Sequence, residues 1–368
     1  MASTSQKFSI ELKQAWVGLH LVLGVAIAAR FIHGLIPDPT LSKSISEILV
    51  AVVLGLYLRN AVGLGDRVQA GIKFSINRIL RFGIILLGLR LSLQDVIATG
   101  LTSLLLVMAC ISIALALAYF AGRLFKIPTR LAALIGVGTA ICGNSAIVAT
   151  APVLDANEEE VSFAVATITL FGLLAVLVYP FAGHLAGLTD RAFGLWAGTA
   201  VNDTSQVVAV GSIFSEAALN VATVVKLTRN TLMAPLIVLF GVVYARGFNR
   251  DMSEDAAQAS RFDWRKMIPG FVIGFLLMSL VRTAGIALLV LPQSVSEPGD
   301  LMAAASFLKI CEEISKFAIL MALAGVGLNT DIASLRRIGL KPLLVGTCVA
   351  VVLALVSLGL ILYTPLGI

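Results

Sequence analysis

Charge is scarce in this chain: of 368 residues, only 13% are Asp, Glu, Lys or Arg. A soluble domain carries about twice that fraction, which excludes a soluble globular protein. Cysteine is scarce too. Cys110, Cys142, Cys311 and Cys348 all lie in apolar stretches, so neither a disulfide framework nor a zinc site is expected. His20, His33 and His184 are scattered without metal-ligand spacing. HExxH, GxSxG, Walker and CxxC patterns are missing, so nothing points to an enzyme. No cofactor is expected beyond Na⁺ or H⁺ as a coupling ion. The polar start, with Lys7 and Lys13, leads into an apolar run that no small-residue site closes, so no cleavable signal peptide is expected. Strict apolar–polar alternation, the mark of a transmembrane β-barrel, is also missing.

What the chain does have is hydrophobic residues, 58% of the total, in recurring runs of roughly 20, long enough to cross a hydrocarbon core of about 30 Å as helices. The runs fall at 15–36, 45–62, 78–98, 100–121, 132–154, 160–182, 192–214, 217–244, 267–291, 304–328 and 341–363. The expectation is an all-α polytopic membrane protein of about eleven transmembrane helices, one transporter domain over 1–368. The net charge of +6 does not call for nucleic acid, because the positive residues sit in short loops where they orient the chain in lipid. One set of loops carries Lys7 and Lys13; Arg59, Arg67 and Lys73; Arg123, Lys126 and Arg130; Arg191; Arg246, Arg250, Arg261, Arg265 and Lys266; Arg336, Arg337 and Lys341. The other set carries Lys43 alone, with Asp155, Glu158, Glu159, Glu160, Glu216, Glu297 and Asp300. This alternation predicts a cytoplasmic N-terminus and a C-terminus on the opposite side.

The sequence also repeats itself. GTAICGNSAIVA, from Gly138, and GTAVNDTSQVVA, from Gly198, agree at six of twelve positions with an offset of 60. Weaker pairs join Arg81 onward with Lys316 onward, and Val53 onward with Ile273 onward. The segments 45–121 and 267–363 run in opposite directions, as an inverted-repeat transporter requires. Spans 5 and 7 run the same way, so their likeness either reflects shared local chemistry or one of them is re-entrant.

Chemistry concentrates in four places. In span 5, Gly143, Asn144 and Ser145 form a helix-start signal inside a crossing; a helix broken there would expose N–H groups near the midplane that suit an anion. The competing reading is glycine for close packing. In span 7, Asn202, Asp203, Thr204, Ser205 and Gln206 interrupt an apolar run. Asp203 caps a second half-helix, pairs with a base, or binds H⁺ or Na⁺. In span 8, Lys226 and Arg229 share a helix face beside Asn230, as counter-ions for Asp203 or Glu312, as part of an anion site, or snorkelling to an interface. In span 10, Glu312 and Glu313 lie between Lys309 and Lys316, a coupling site or an i,i+4 pair at a helix end. Asn329 and Asp331 read as caps, and Arg90 and Arg282 as snorkelling residues.

With its two glycine motifs, GTAICGNSAIVATAPVL and GTAVNDTSQVVAVG, the chain resembles the sulfate exporter family of YeiH-type bacterial inner-membrane proteins over nearly its whole length. The resemblance implies a multi-pass inner-membrane protein and a secondary transporter of sulfate or a related sulfur oxyanion. It also implies likeness to bile-acid and cation–proton antiporter folds, in which broken helices meet near the midplane. Gly143, Asn144 and Ser145 would then meet Asn202, Asp203, Thr204 and Ser205 there.

The expected function is therefore secondary transport of a small anion by alternating access. Gly143, Asn144, Ser145, Asn202, Thr204, Ser205, Lys226 and Arg229 would bind it, and Asp203, Gln206 and Glu312 would couple H⁺ or Na⁺. A cation–proton antiporter using Asn202 and Asp203 is the first rival, and a channel or non-transporting sensor the second. The expected partners are the anion, membrane lipid and, as an open possibility, a second copy in a homodimer; nucleic acid is not among them.

Overall fold

The computed structural model describes residues 4–36, 46–233, 235–237, 239–240, 269–288, 302–335 and 339–364. Lys43, Glu297, Asp300, Arg336, Arg337 and the charged connection 246–266 lie outside the described residues. Every regular element among those described is helical. Among the described residues five helices are long and apolar enough to cross a membrane: Gln14–Gly34, Leu93–Leu124, Glu158–Leu185, Gly270–Ala287 and Leu340–Tyr363. Their outer faces stay apolar, with Leu101, Leu105, Met108 and Phe120 exposed on one and Val351, Leu355 and Leu362 on another. Such a face suits lipid.

The chain forms two compact units: Met1–Ile97 with Gly270–Ala333, and Ala98–Pro269 with Ser334–Ile368. The first unit contains α1 (Thr4–Gly34), α2 (Glu47–Leu58), α3 (Asp66–Phe74) running through a π turn into α4 (Leu80–Leu87), and the start of α5 (Leu93–Leu124). The α3–α4 helix starts twelve residues earlier than span 78–98 suggested. Asp66, Arg67, Gln69 and Lys73 make its first turns too polar to register as a crossing. The weakly repeated segments fall together in this unit. Gly55 meets Ala324 and Gly327 so closely that a Cβ there would lie 2.6 Å from the Ala324 carbonyl oxygen.

Several charged side chains of this unit pair with one another. Arg30 reaches Glu313 at 3.3 Å and Glu47 at 3.7 Å, while Glu312 takes Lys316 at 2.9 Å and Arg90 at 3.5 Å. Asp331 accepts from the Ala333 N–H at 2.9 Å, a helix cap. The snorkelling expected of Arg90 and Arg282 is not what the structure has. Arg90 turns to Glu312 on a neighbouring helix, and Arg282 is buried among the helices.

The second unit completes α5 and adds α6 (Thr129–Ala140), α7 (Asn144–Thr150), α8 (Glu158–Leu185), α9 (Asp190–Ala200), α10 (Thr204–Phe214) and α11 (Glu216–Thr231). The first unit then resumes with α12 (Gly270–Ala287), α13 (Met302–Asn329) and α14 (Ile332–Leu335); α15 (Leu340–Tyr363) returns to the second. Here the structure corrects the sequence reading of spans 5 and 7. Neither runs straight through. Arg130, at the start of α6, donates to the Asp155 carbonyl at 2.5 Å and to its carboxylate at 3.3 Å, although their loops were assigned to opposite membrane faces. Ser215, just after α10, donates to Asp190, at the start of α9, at 2.6 Å. Phe193 and Phe214 stack there with centroids 3.8 Å apart. Both segments are hairpins. A twelve-residue arm is about 18 Å long, enough to reach the middle of a core of about 30 Å and turn back. Composition cannot separate such a hairpin from a crossing, since both are roughly 24 apolar residues.

Candidate functional site at the hairpin tips

The first hairpin breaks where sequence expected. Helix α6 ends at Ala140, and Gly143 at φ 66° and ψ −128° starts α7. Positive φ is open to glycine and costly for other residues. The second hairpin breaks by a different device. Val201 and Asp203 are both extended, and Asp203 caps α10, its Oδ1 accepting from the Ser205 N–H at 3.0 Å and the Ser205 hydroxyl at 2.9 Å. Gln206 returns its Oε1 to the Asp203 N–H at 3.1 Å, closing a capping box.

The two tips meet. A Cβ built on Gly143 would lie 2.9 Å from Asp203 Oδ2 and 3.2 Å from its Cα. Gly143 and Asp203 are also equivalent under the 60-residue offset, so matching points of the repeated motif face each other. The tips are fastened by α11. Lys226 donates to the carbonyls of Ile141 at 2.7 Å and Val201 at 3.0 Å, and to that of Asn202. Ile141 and Val201 are again equivalent positions. Arg229 donates to Ala140 at 2.5 Å, Gly198 at 3.3 Å and Val201 at 3.0 Å, and to Thr139. Both side chains are buried, 0% and 1% exposed. The carbonyls left over at the ends of α6 and α9 carry partial negative charge, and a buried cation answers both tips at once.

The structure therefore brings together Gly143, Asn144, Asn202, Asp203, Thr204, Ser205, Gln206, Lys226 and Arg229. Ser145 follows Asn144 in the first turn of α7 with its side chain exposed. Glu312 belongs to the first unit, where its partners are Arg90 and Lys316. Three residues absent from the candidate list join the tips. Asn230 donates to the Thr204 hydroxyl at 3.3 Å, Thr169 accepts from Asn144 at 3.4 Å, and the Ile168 carbonyl accepts from Asn202 at 3.5 Å. Asn230 carried a signal, a polar residue beside Arg229 in an apolar run. Thr169 and Ile168 carried none. Among the described residues no group of His, Cys, Asp or Glu forms a metal site.

Chemically, the tips hold two buried cations and one carboxylate. Each hairpin contributes one helix start and one helix end, so the helix dipoles largely cancel, and with Lys226, Arg229 and Asp203 all ionised one positive charge is in excess. All three Lys226 protons and four of the five Arg229 N–H groups are engaged by main chain. These cations therefore act on a ligand through their charge. Direct contacts fall to the tip residues.

A family model described as "Conserved hypothetical protein 698" matches residues 17–346. The chain is 36% identical to the UPF0324 membrane protein FN0533 of Fusobacterium nucleatum subsp. nucleatum, covering 88% of this chain and 91% of that one. It is 32% identical to a UPF0324 membrane protein of Clostridium tetani, over 94% of this chain and 96% of that one. A third relative, the UPF0324 membrane protein SAG1125 of Streptococcus agalactiae serotype V, is 36% identical over 87% of this chain. These names say membrane protein and give no substrate.

Proposed function

The chain belongs to the Conserved hypothetical protein 698 family and is related to the UPF0324 membrane proteins, and from that premise we propose that this multi-pass membrane protein is a secondary active transporter of a small anion. One observation carries the reading: two hairpins, broken at equivalent residues, meet tip to tip over Lys226 and Arg229 with one positive charge in excess. Interrupted helices with their ends at membrane mid-depth form the binding sites of many secondary transporters. The excess charge selects an anion, and the resemblance to sulfate exporters supports sulfate or another sulfur oxyanion. Asn144 and the first turns of α7 and α10 contact it, and Asp203 couples its passage to H⁺ or Na⁺.

Uptake of ³⁵S-labelled oxyanions into proteoliposomes tests this. Wild-type protein should accumulate label under a Na⁺ or pH gradient. Asn144→Leu and Arg229→Met should lose uptake, and Asp203→Asn should lose gradient-driven accumulation. Normal accumulation by all three variants overturns the assignment. The second reading, a cation–proton antiporter, is favoured by the Asn202–Asp203 pair, since Asn202 Oδ1 is buried without a hydrogen-bond partner among the described residues. Dye-quench assays under Na⁺ and pH gradients, with no anion supplied, separate the two.

A further inference from the structure

We infer that the anion held at the hairpin tips is a singly charged oxyanion carrying its own O–H, of the hydrogen sulfite or hydrogen carbonate kind, and not the sulfate dianion. The inference rests on the anion-transport reading and narrows its substrate. Sulfate has no proton to give, so every group touching it has to donate. The tips present acceptors. Asn202 is 3% exposed, and its Oδ1 has no hydrogen-bond partner among the described residues. Its orientation is fixed, because the amide nitrogen faces the Ile168 carbonyl, which accepts only. Beside it stands the Asp203 carboxylate, with Oδ1 taken by Ser205 and Oδ2 turned to Gly143. A dianion here would set lone pairs against lone pairs.

Two further amides suit an anion that offers both charge and a proton. Asn144 and Asn230 also have buried Oδ1 atoms without partners. Their nitrogens rest on the hydroxyls of Thr169 and Thr204. A hydroxyl can donate or accept, so these two amides can turn and present N–H₂ to an oxyanion. The tips thus offer fixed acceptors at Asn202 and Asp203 and adaptable groups at Asn144 and Asn230. The four are neighbours: Asn144 follows Gly143, which faces Asp203, and Asn230 leans on Thr204. The charge count agrees. Lys226 and Arg229 against Asp203 leave one positive charge, which a monoanion neutralises and a dianion overshoots.

Titration calorimetry on the purified full-length protein tests this with four sodium salts at about pH 6.5, where hydrogen sulfite outweighs the sulfite dianion: hydrogen sulfite, hydrogen carbonate, nitrate and sulfate. Nitrate matches the charge and lacks the O–H; sulfate lacks both. A site built around a ligand hydroxyl rejects analogues without it strongly, so at least one hydrogen-bearing monoanion should bind on the order of tenfold tighter, or more, than nitrate and sulfate. In Asp203→Asn, which raises the excess to two positive charges, the ratio of sulfate to hydrogen sulfite affinity should rise about tenfold. Asn202→Leu removes an acceptor without changing charge, and should close the gap between hydrogen sulfite and nitrate. Sulfate or nitrate binding as tightly as the hydrogen-bearing anions in wild type overturns the inference and leaves anion transport standing. An unchanged gap in a folded Asn202→Leu protein overturns it as well. Binding of none of the four brings down the anion-transport reading itself.

Discussion

Two regions of the molecule hold charge inside apolar helices, and they do so by opposite means. In the first unit, Arg30, Glu47, Arg90, Glu312, Glu313 and Lys316 pair side chain to side chain, and Arg30 and Glu313 stay about half exposed. In the second unit, Lys226 and Arg229 are buried and pair with main-chain carbonyls alone among the contacts described. The difference lies in what is neutralised. In that network the carboxylates of Glu47, Glu312 and Glu313 match the cations Arg30, Arg90 and Lys316 one for one. Carbonyl ends of helices offset Lys226 and Arg229 only in part, so positive charge survives where the helices break. A charged residue in an apolar run is thus two different signals, depending on whether its partner is another side chain or an interrupted helix.

The largest expected effect breaks this contrast most directly. Lys226→Met takes the side-chain donor from the carbonyls of Ile141 and Asn202, and Arg229→Met from those of Thr139, Ala140 and Gly198, while Val201 keeps the other cation in either variant. An unsatisfied buried acceptor costs about 1–3 kcal/mol, so each variant should lose at least about 2 kcal/mol and melt well below wild type in detergent. Unfolding followed by light scattering or intrinsic fluorescence reads this out. Wild-type stability in both would show that the carbonyls find other partners and that the tips are not fastened by α11.

Gly143→Ala comes next. The left-handed backbone at φ 66° costs a side chain about 1–2 kcal/mol, and the new methyl would press on Asp203 Oδ2 at 2.9 Å. Gly187, at φ 61° with nothing within 4 Å, is the internal control. Gly187→Ala should show only the backbone cost and keep anion binding. Gly143→Ala should lose binding as well, because the methyl displaces the carboxylate that faces it. Equal behaviour of the two in calorimetry and thermal unfolding would mean that the tips do not touch.

The breaks themselves were legible in the sequence, and the route of the chain through them was not. Gly143-Asn144-Ser145 and Asn202-Asp203 announce helix starts by local chemistry, and local chemistry is what those residues use. That the arms double back depends on Arg130 finding Asp155, 25 residues away, and Ser215 finding Asp190, also 25 away. Hydropathy carries no information on such pairs. Loop charges misled for the same reason: the acidic run Asp155–Glu160 reads as an opposite face, yet Asp155 serves as partner to Arg130, while Glu160 closes the capping box of α8, its carboxylate accepting from the Asn157 N–H. The likeness of the two motifs pointed toward the answer, since matching motifs in a parallel pair of crossings had no place in an inverted repeat. Two hairpins in place of two crossings remove that obstacle. Lys226 and Arg229 were visible as buried charge, but their main-chain partners could not be read from any spacing.

Labelling sharpens the route. In single-cysteine variants of a background with the four native cysteines replaced, Arg130→Cys and Asp155→Cys should react with a membrane-impermeant maleimide from one side of oriented vesicles. Arg191→Cys and Glu216→Cys should react from the other. A split within either pair restores a full crossing in place of that hairpin.

The smallest effect belongs to Glu312, which the sequence marked as a coupling residue and the structure places against Arg90 and Lys316. Partly exposed ion pairs are typically worth 0–1 kcal/mol, so Glu312→Gln should cost about 1 kcal/mol or less. That small loss should shrink further in high salt, because pairs reached by solvent are screened over about 8–10 Å near physiological ionic strength. Lys226→Met should show no such salt dependence, since its partners are buried carbonyls. Gradient-driven uptake decides the remaining question. An unchanged ion dependence in Glu312→Gln assigns the first unit's charges to holding helices together and leaves coupling with Asp203. Lost ion dependence at wild-type stability would move coupling to Glu312, and the contrast between a structural network and a functional pair would have to be drawn the other way round.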